Sequence, residues 1–169
     1  VNLIAGQPGI GKSTLLLQLA YELAANHKVL YISGEESAHQ IGLRAQRLGA
    51  MRPELQLATS TSADDIAATI ANGSYELVVV DSIQTLNCGA ISSAAGTVSQ
   101  ITNSTQLLTQ AAKQSNTAVI LVGHVTKEGA ILSPTSRAFE KRAVLNPGIL
   151  QIGNTVHVVY RAVDKDHIS

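Results

Sequence analysis

At 169 residues, 45% apolar and 14% charged, the chain has the composition of one globular domain with a sizeable core rather than that of a disordered chain. Its 12 Lys and Arg against 12 Asp and Glu give zero formal net charge, so no global field attracts nucleic acid and such binding must rest on local patches. Trp is absent, and Phe139 and Cys88 are the single Phe and Cys; this excludes an internal disulfide and a multi-cysteine zinc site, and argues against an aromatic platform for bases.

Cys88 reads as a small packed residue of a reducing compartment rather than a reactive nucleophile. No apolar run has the length that spans a bilayer and no signal peptide is visible, so a cytoplasmic setting without a membrane partner is expected. The opening residues VNLIAG already read as a core strand, and a piece of a longer chain is expected.

The strand VNLIA leads into GQPGIGKS at 6–13 and a helix expected over 12–26. This is the phosphate-binding pattern G-x-x-x-x-G-K-[ST] in the strand-to-helix setting that the motif requires. Gly6, Gly9 and Gly11 let the backbone wrap so that successive N–H groups face phosphate oxygens, and the helix presents its positive end there. Lys12 is placed to reach the β- and γ-phosphates and Ser13 to ligate Mg²⁺. The nucleotide-binding stretch is therefore Gly6, Gln7, Pro8, Gly9, Ile10, Gly11, Lys12, Ser13 and Thr14; the alternative is a plain glycine turn.

The next strand, KVLYIS, ends against Glu35 and Glu36. Two adjacent carboxylates beside a triphosphate repel it, unless one orients water for in-line attack. Alternatively they form the acidic first turn of the next helix; one Glu for each role is also allowed, and the pattern leaves open which is which. That helix is expected over 37–48, with Ser37 and Gln40 as a capping box and Gly49 as its left-handed stop. Arg44 and Arg47 share a face, either solvated or touching a phosphate or a neighbouring subunit.

ELQLA is the third strand, followed by a helix over 63–72 with Ser62 and Asp65 at capping-box spacing and Gly73 as its stop. YELVVVDS brings Asp81 to the end of a run apolar on both faces. An ionised Asp there is costly without a compensating cation, and Mg²⁺ is the natural one; a turn cap is the plainer alternative. LNCGAISSAAG (86–96) resists assignment, a helix follows over 97–115, and TAVILVGHV ends near His124. His124 is either a satisfied packing residue or a functional group on the same edge as Asp81. KEGAILSPTSR (127–137) is again unassigned, and ILQIGNTVHVVYRAV reads as a hairpin turning at Gly153–Asn154. Alternating strands and helices predict an α/β P-loop NTPase fold with a central, mainly parallel sheet and a C-terminal β-hairpin.

Together, GQPGIGKSTLLLQLA, YISGEESAHQIGLRAQRLG, LVVVDSIQTL and VGHVTKEGAI resemble the bacterial RadA (Sms) family of RecA-like ATPases up to Ile131. SGEES, DSIQT and GHVTKEGA set the resemblance apart from KaiC and the DnaB helicases. It implies a single RecA-like domain over 1–169, without the family's zinc and Lon-like modules. It further implies a hexameric homo-oligomeric ring that hydrolyses ATP with Mg²⁺ at subunit interfaces, on single-stranded or branched DNA, in recombinational repair of the branch-migration type, with a recombinase among its partners. Lys12, Ser13 and Asp81 are then the nucleotide and magnesium residues, the catalytic Glu lies in Glu35–Glu36, and His124 takes the place of the γ-phosphate sensor. Lys127 and Arg137, in or beside the loop after His124, become candidate DNA phosphate contacts.

There are departures. GTVSQITN (96–103) stands where the family has GSVSQVRE, and the match loosens past Ile131. The closing DKDHIS falls where the family keeps KNRFGS, so Asp164 and Asp166 replace two cations. This favours a second function, a nucleotide-binding assembly or regulatory paralogue with little turnover. A metal site in that tail lacks partner ligands. A GTPase is set aside because no N-K-x-D motif is present.

Overall fold

The computed structural model describes residues 1–6, 8–124, 143–152 and 155–163, the last two as backbone strands. In chain order the elements are β1 (Asn2–Gly6), α1 (Lys12–Leu23), β2 (Val29–Ser33), α2 (Ala38–Arg47), β3 (Leu55–Thr59), α3 (Ala63–Asn72), β4 (Leu77–Asp81), a 3-10 turn (Ile83–Thr85), α4 (Val98–Ser115), β5 (Ala118–His124), β6 (Ala143–Ile152) and β7 (Thr155–Val163). They form one seven-stranded sheet in the order β3-β2-β4-β5-β1-β6-β7. From β3 to β1 every pair is parallel, and β6 joins β1, and β7 joins β6, antiparallel. This is the expected α/β P-loop fold with its C-terminal hairpin.

Side-chain alternation on the strands builds two cores. Val78 and Val80 of β4 pack with Ile66, Ile70 and Leu108 of α3 and α4. Leu77 and Val79 pack with Leu16, Leu17 and Ile41 of α1 and α2 on the other face. Burial of each such Leu, Ile or Val contributes about 1.5–3 kcal/mol. Strands covered on both sides are held firmly, and so are the groups at their ends.

Helix boundaries follow the expected caps. Ser37 accepts from Gln40 N at 3.3 Å while Gln40 Oε1 accepts from Ser37 N at 3.0 Å, a complete box. Ser62 accepts from Asp65 N at 3.1 Å, the first half of such a box. Gly49 has φ +65°, as a left-handed stop requires, whereas Gly73 caps α3 in an extended conformation. Helix α1 ends at Leu23 rather than at 26, because Ala25 and Asn26 turn back onto Glu22 and Leu23 to deliver the chain to β2. Strand β6 starts at Ala143, ahead of the expected hairpin, with a register shift between Leu145 and Gly148. That shift spans Pro147, which has no N–H to give the ladder.

The stretch 86–96 is organised by one side chain. Gln100, 2% exposed, accepts from Cys88 N at 2.8 Å and donates to Ile91 O at 3.0 Å and Ser93 O at 2.9 Å. Asp64 Oδ2 accepts from Gly89 N at 2.8 Å. Lys127, Arg137, the Gly153–Asn154 turn and the tail from Asp164 lie outside the described residues. Among the described residues, no helix is long and apolar enough to cross a membrane.

Candidate active site

Strand order places the functional ends side by side. Adjacent strands lie about 4.8 Å apart, and β2, β4, β5 and β1 are consecutive in the sheet. Their carboxyl ends carry, in that order, Ser33 with Glu35 beyond it, Asp81 with Ser82, His124, and Gly6 with the phosphate loop. Ser33 stands opposite Asp81, and Gly6 opposite His124. Because β5 separates β1 from β4, His124 stands between the loop lysine and the carboxylates.

In the loop, Gly9 has φ +80° and Gly11 φ +95°. A Cβ at either would meet nothing within 4 Å, so backbone conformation and not space demands glycine there. Pro8 and Ile10 lie between the glycines, Gln7 lies outside the described residues, and Ser13 and Thr14 sit in the first turn of α1. Gly11 caps α1 without a side-chain bond to its N–H groups, leaving the positive end of the helix for an anion. Lys12 is 7% exposed and donates from Nζ to Gly6 O at 2.8 Å. Burial pushes its ammonium below the ordinary lysine value, while Asp81 and Glu35 pull it back up.

A continuous polar chain runs from Lys12 along this edge. Lys12 Nζ lies 3.3 Å from His124 Nδ1, and His124 Nε2 lies 3.2 Å from Glu35 Oε1. A lysine ammonium is donor-only, so Nδ1 accepts and the ring proton sits on Nε2, where it is donated to Glu35. Ser82 donates from Oγ to the same Glu35 oxygen at 2.6 Å. The Ser82 bond, ahead of His124, draws the Glu35 carboxyl below the ordinary glutamate value against an opposing burial effect.

The two glutamates part company. Glu36 pairs with Arg44 of α2, while Glu35 faces the polar chain. Both precede the cap Ser37, and no acidic residue occupies the first turn of α2, so neither serves as a dipole group inside that helix. Both backbone N–H groups donate to Ser33 Oγ, at 3.2 and 3.0 Å. Gly34 N donates to Asp81 O at 2.8 Å, and a Cβ on Gly34 would fall 2.0 Å from Thr85 Oγ1. Glycine is required there because the turn after β2 presses against the turn after β4. Arg44 is turned inward onto Glu36, while Arg47 remains exposed.

Asp81 is buried at 6% exposure, and its Oδ2 accepts from Tyr31 Oη at 2.6 Å. Burial, then the Asp81 charge, pushes the Tyr31 phenol far up, so Tyr31 stays a neutral donor. Nothing in the sequence pattern alone marks Tyr31 or Ser82 as functional. Among the described residues no group of three or more His, Cys, Asp or Glu forms a metal cage. A lone buried carboxylate with one oxygen bonded to tyrosine, near a phosphate loop with a serine hydroxyl, fits Mg²⁺, which takes hard oxygen ligands and few protein groups.

A profile of the AAA domain family matches residues 1–130. The chain is 50% identical over 138 residues to the DNA repair protein RadA of Brucella abortus (strain 2308), covering 78% of this chain and 30% of that protein. It is 48% identical over 134 residues to the DNA repair protein RadA of Pseudomonas aeruginosa, covering 79% and 30%. The chain thus spans about 30% of the length of these curated relatives. A DnaB-like replicative helicase, at 14% identity, superposes with a TM-score of 0.68 over 96% of this chain and 56% of that one, which shows a shared fold.

Proposed function

Since the chain belongs to the AAA domain family and its core is RadA-like, we propose that it is a DNA repair ATPase that binds Mg-ATP and hydrolyses it. The observation that carries this is the Lys12–His124–Glu35–Ser82 chain across four adjacent strand ends. It brings a buried cation and a carboxylate to one edge, which supports Lys12 as the phosphate-binding group and Glu35 as the water-orienting one.

Loop 6–14 wraps the phosphates with its N–H groups, and Lys12 neutralises charge on the β- and γ-phosphates. Ser13 and Asp81 would hold Mg²⁺, which when bound offsets the charge of the transferring phosphoryl group. Glu35 orients the attacking water and accepts its proton. The water oxygen bonds to the γ-phosphorus, the bond to the bridging oxygen breaks, and ADP leaves with its electron pair. His124, bonded to both Lys12 and Glu35, connects the phosphate side to the water side. Glu36 stays with Arg44 and takes no part in the chemistry. By resemblance to RadA, hydrolysis occurs at the interfaces of a hexameric ring. The substrate is single-stranded or branched DNA undergoing branch migration, with Lys127 and Arg137 as phosphate contacts and a recombinase as partner.

A second reading rests on the sequence of the tail. Asp164 and Asp166 replace cations of the family pattern, and two anions near a triphosphate oppose charge stabilisation. This favours an ATP-binding assembly subunit with little turnover. Calorimetric ATP binding and steady-state turnover, with and without single-stranded DNA, in wild type and Lys12→Ala, separate the readings. The ATPase reading expects Mg²⁺-dependent binding that Lys12→Ala abolishes, and turnover that rises on assembly. Binding without turnover under every assembly condition supports the second, and identical behaviour of the two proteins overturns both.

A further inference from the structure

Ser82 follows the proposed magnesium ligand Asp81 and is fully buried. Its hydroxyl proton goes to Glu35 Oε1 at 2.6 Å, a short bond of the charge-assisted kind. Glu35 is 45% exposed, so water alone would satisfy its carboxylate. The bond is therefore not needed to avoid a buried unpaired charge, and its consequence is geometric. Ser82 and His124 both converge on Oε1, which leaves Oε2, without a hydrogen-bond partner among the described residues, to face a water.

The donor is itself held firmly. Ser82 O accepts from Thr85 Oγ1 at 2.8 Å and from Thr85 N at 3.3 Å. The Thr85 side chain abuts Gly34, at the base of the turn that carries Glu35. Donor and acceptor thus sit on turns packed against each other at the ends of two hydrogen-bonded strands. A carboxylate on a flexible three-torsion side chain is worth most to a reaction when one oxygen is pinned from a rigid element.

We propose that Ser82 is a positioning residue for hydrolysis, fixing Glu35 through Oε1 so that Oε2 is presented to the attacking water. This rests on the ATPase reading above. Other groups facing Glu35 are His124 on β5 and Lys12 on α1, and neither replaces a donor located on the turn that follows β4.

The test is a double-mutant cycle of wild type, Ser82→Ala, Glu35→Ala and the double variant, with Ser82→Cys, which retains a weak donor of similar size. Each is measured for urea unfolding and for ATP turnover. Ser82→Ala is expected to lower kcat about tenfold at unchanged KM, to lower it no further in the Glu35→Ala background, and to be partly rescued by Ser82→Cys. In unfolding, the double variant is expected to be less destabilised than the two single effects together. Strictly additive effects in both unfolding and turnover, or a Ser82→Cys protein no better than Ser82→Ala, overturn the proposal. Non-additive unfolding without turnover in wild type upholds the Ser82–Glu35 contact and overturns the ATPase reading, so the two failures are distinguishable.

Discussion

Lys12 Nζ and His124 Nδ1 lie 3.3 Å apart although 112 positions separate them in the chain. Their meeting follows from strand pairing: β1 and β5 are parallel neighbours with Gly6 opposite His124, and Lys12 folds back to Gly6 O. Lys12 is thereby joined, through one imidazole, to the Glu35 carboxylate beyond β2.

Tyr31 supports the proposed metal ligand from behind. Tyr31→Phe removes the donor to Asp81 Oδ2 and leaves a buried carboxylate short of a bond, at a cost of about 1–3 kcal/mol. Urea unfolding should show that loss, and calorimetric titration should show ATP binding that needs more Mg²⁺. Unchanged stability and Mg²⁺ dependence would contradict this role.

Gly34 keeps two turns in contact. Gly34→Ala drives a methyl group into Thr85, and overpacking of this kind costs about 1–3 kcal/mol. Turnover should fall more than ATP affinity, because the displaced turn carries Glu35 and not the phosphate loop. Thr85→Ala, added to Gly34→Ala, should restore part of the loss, a coupling that thermal melts and kinetics both read.

Far from this edge, the Glu76 carboxylate lies 2.8 Å from His27 Nδ1 and accepts from Lys28 N at 3.3 Å. The His27 bond, then the Lys28 bond, lowers the Glu76 carboxyl below its ordinary 4.5. A group depressed in the folded state adds stability above its unfolded value and loses it as pH falls through the folded one. Thermal melts of wild type and Glu76→Gln should therefore differ near neutral pH and converge as the pH falls through the lowered folded-state value. A difference that persists unchanged in acid would refute the assignment.

Much of this architecture is legible in the residues. Asp81 and His124 could be placed because each ends a run apolar on both faces, and such runs become central strands whose carboxyl ends share one edge; the phosphate loop is marked instead by its G-x-x-x-x-G-K-[ST] spacing between a strand and a helix. The distinction between Glu35 and Glu36 was not legible. It depends on the contact of Gly34 with Thr85 and on the partner Arg44, 8 positions further along. Tyr31 and Ser82 were hidden for a related reason: β2 is buried along its whole length, so no alternation marks the side of Tyr31 that meets Asp81. The small residues of 86–96 have no periodicity, and Gln100 organises them from the next helix.

The proposed hydrolysis depends on a division of labour between Glu35 and Glu36. Single-turnover ATP hydrolysis by Glu35→Gln and Glu36→Gln, with ATP binding measured on the same proteins, tests it most directly. Glu35→Gln should bind ATP and hydrolyse it about 10²–10⁴-fold more slowly than wild type, while Glu36→Gln should lose its Arg44 pairing and keep a rate close to wild type. A Glu35→Gln protein that turns over at the wild-type rate, or a Glu36→Gln protein that alone is inactive, would contradict it.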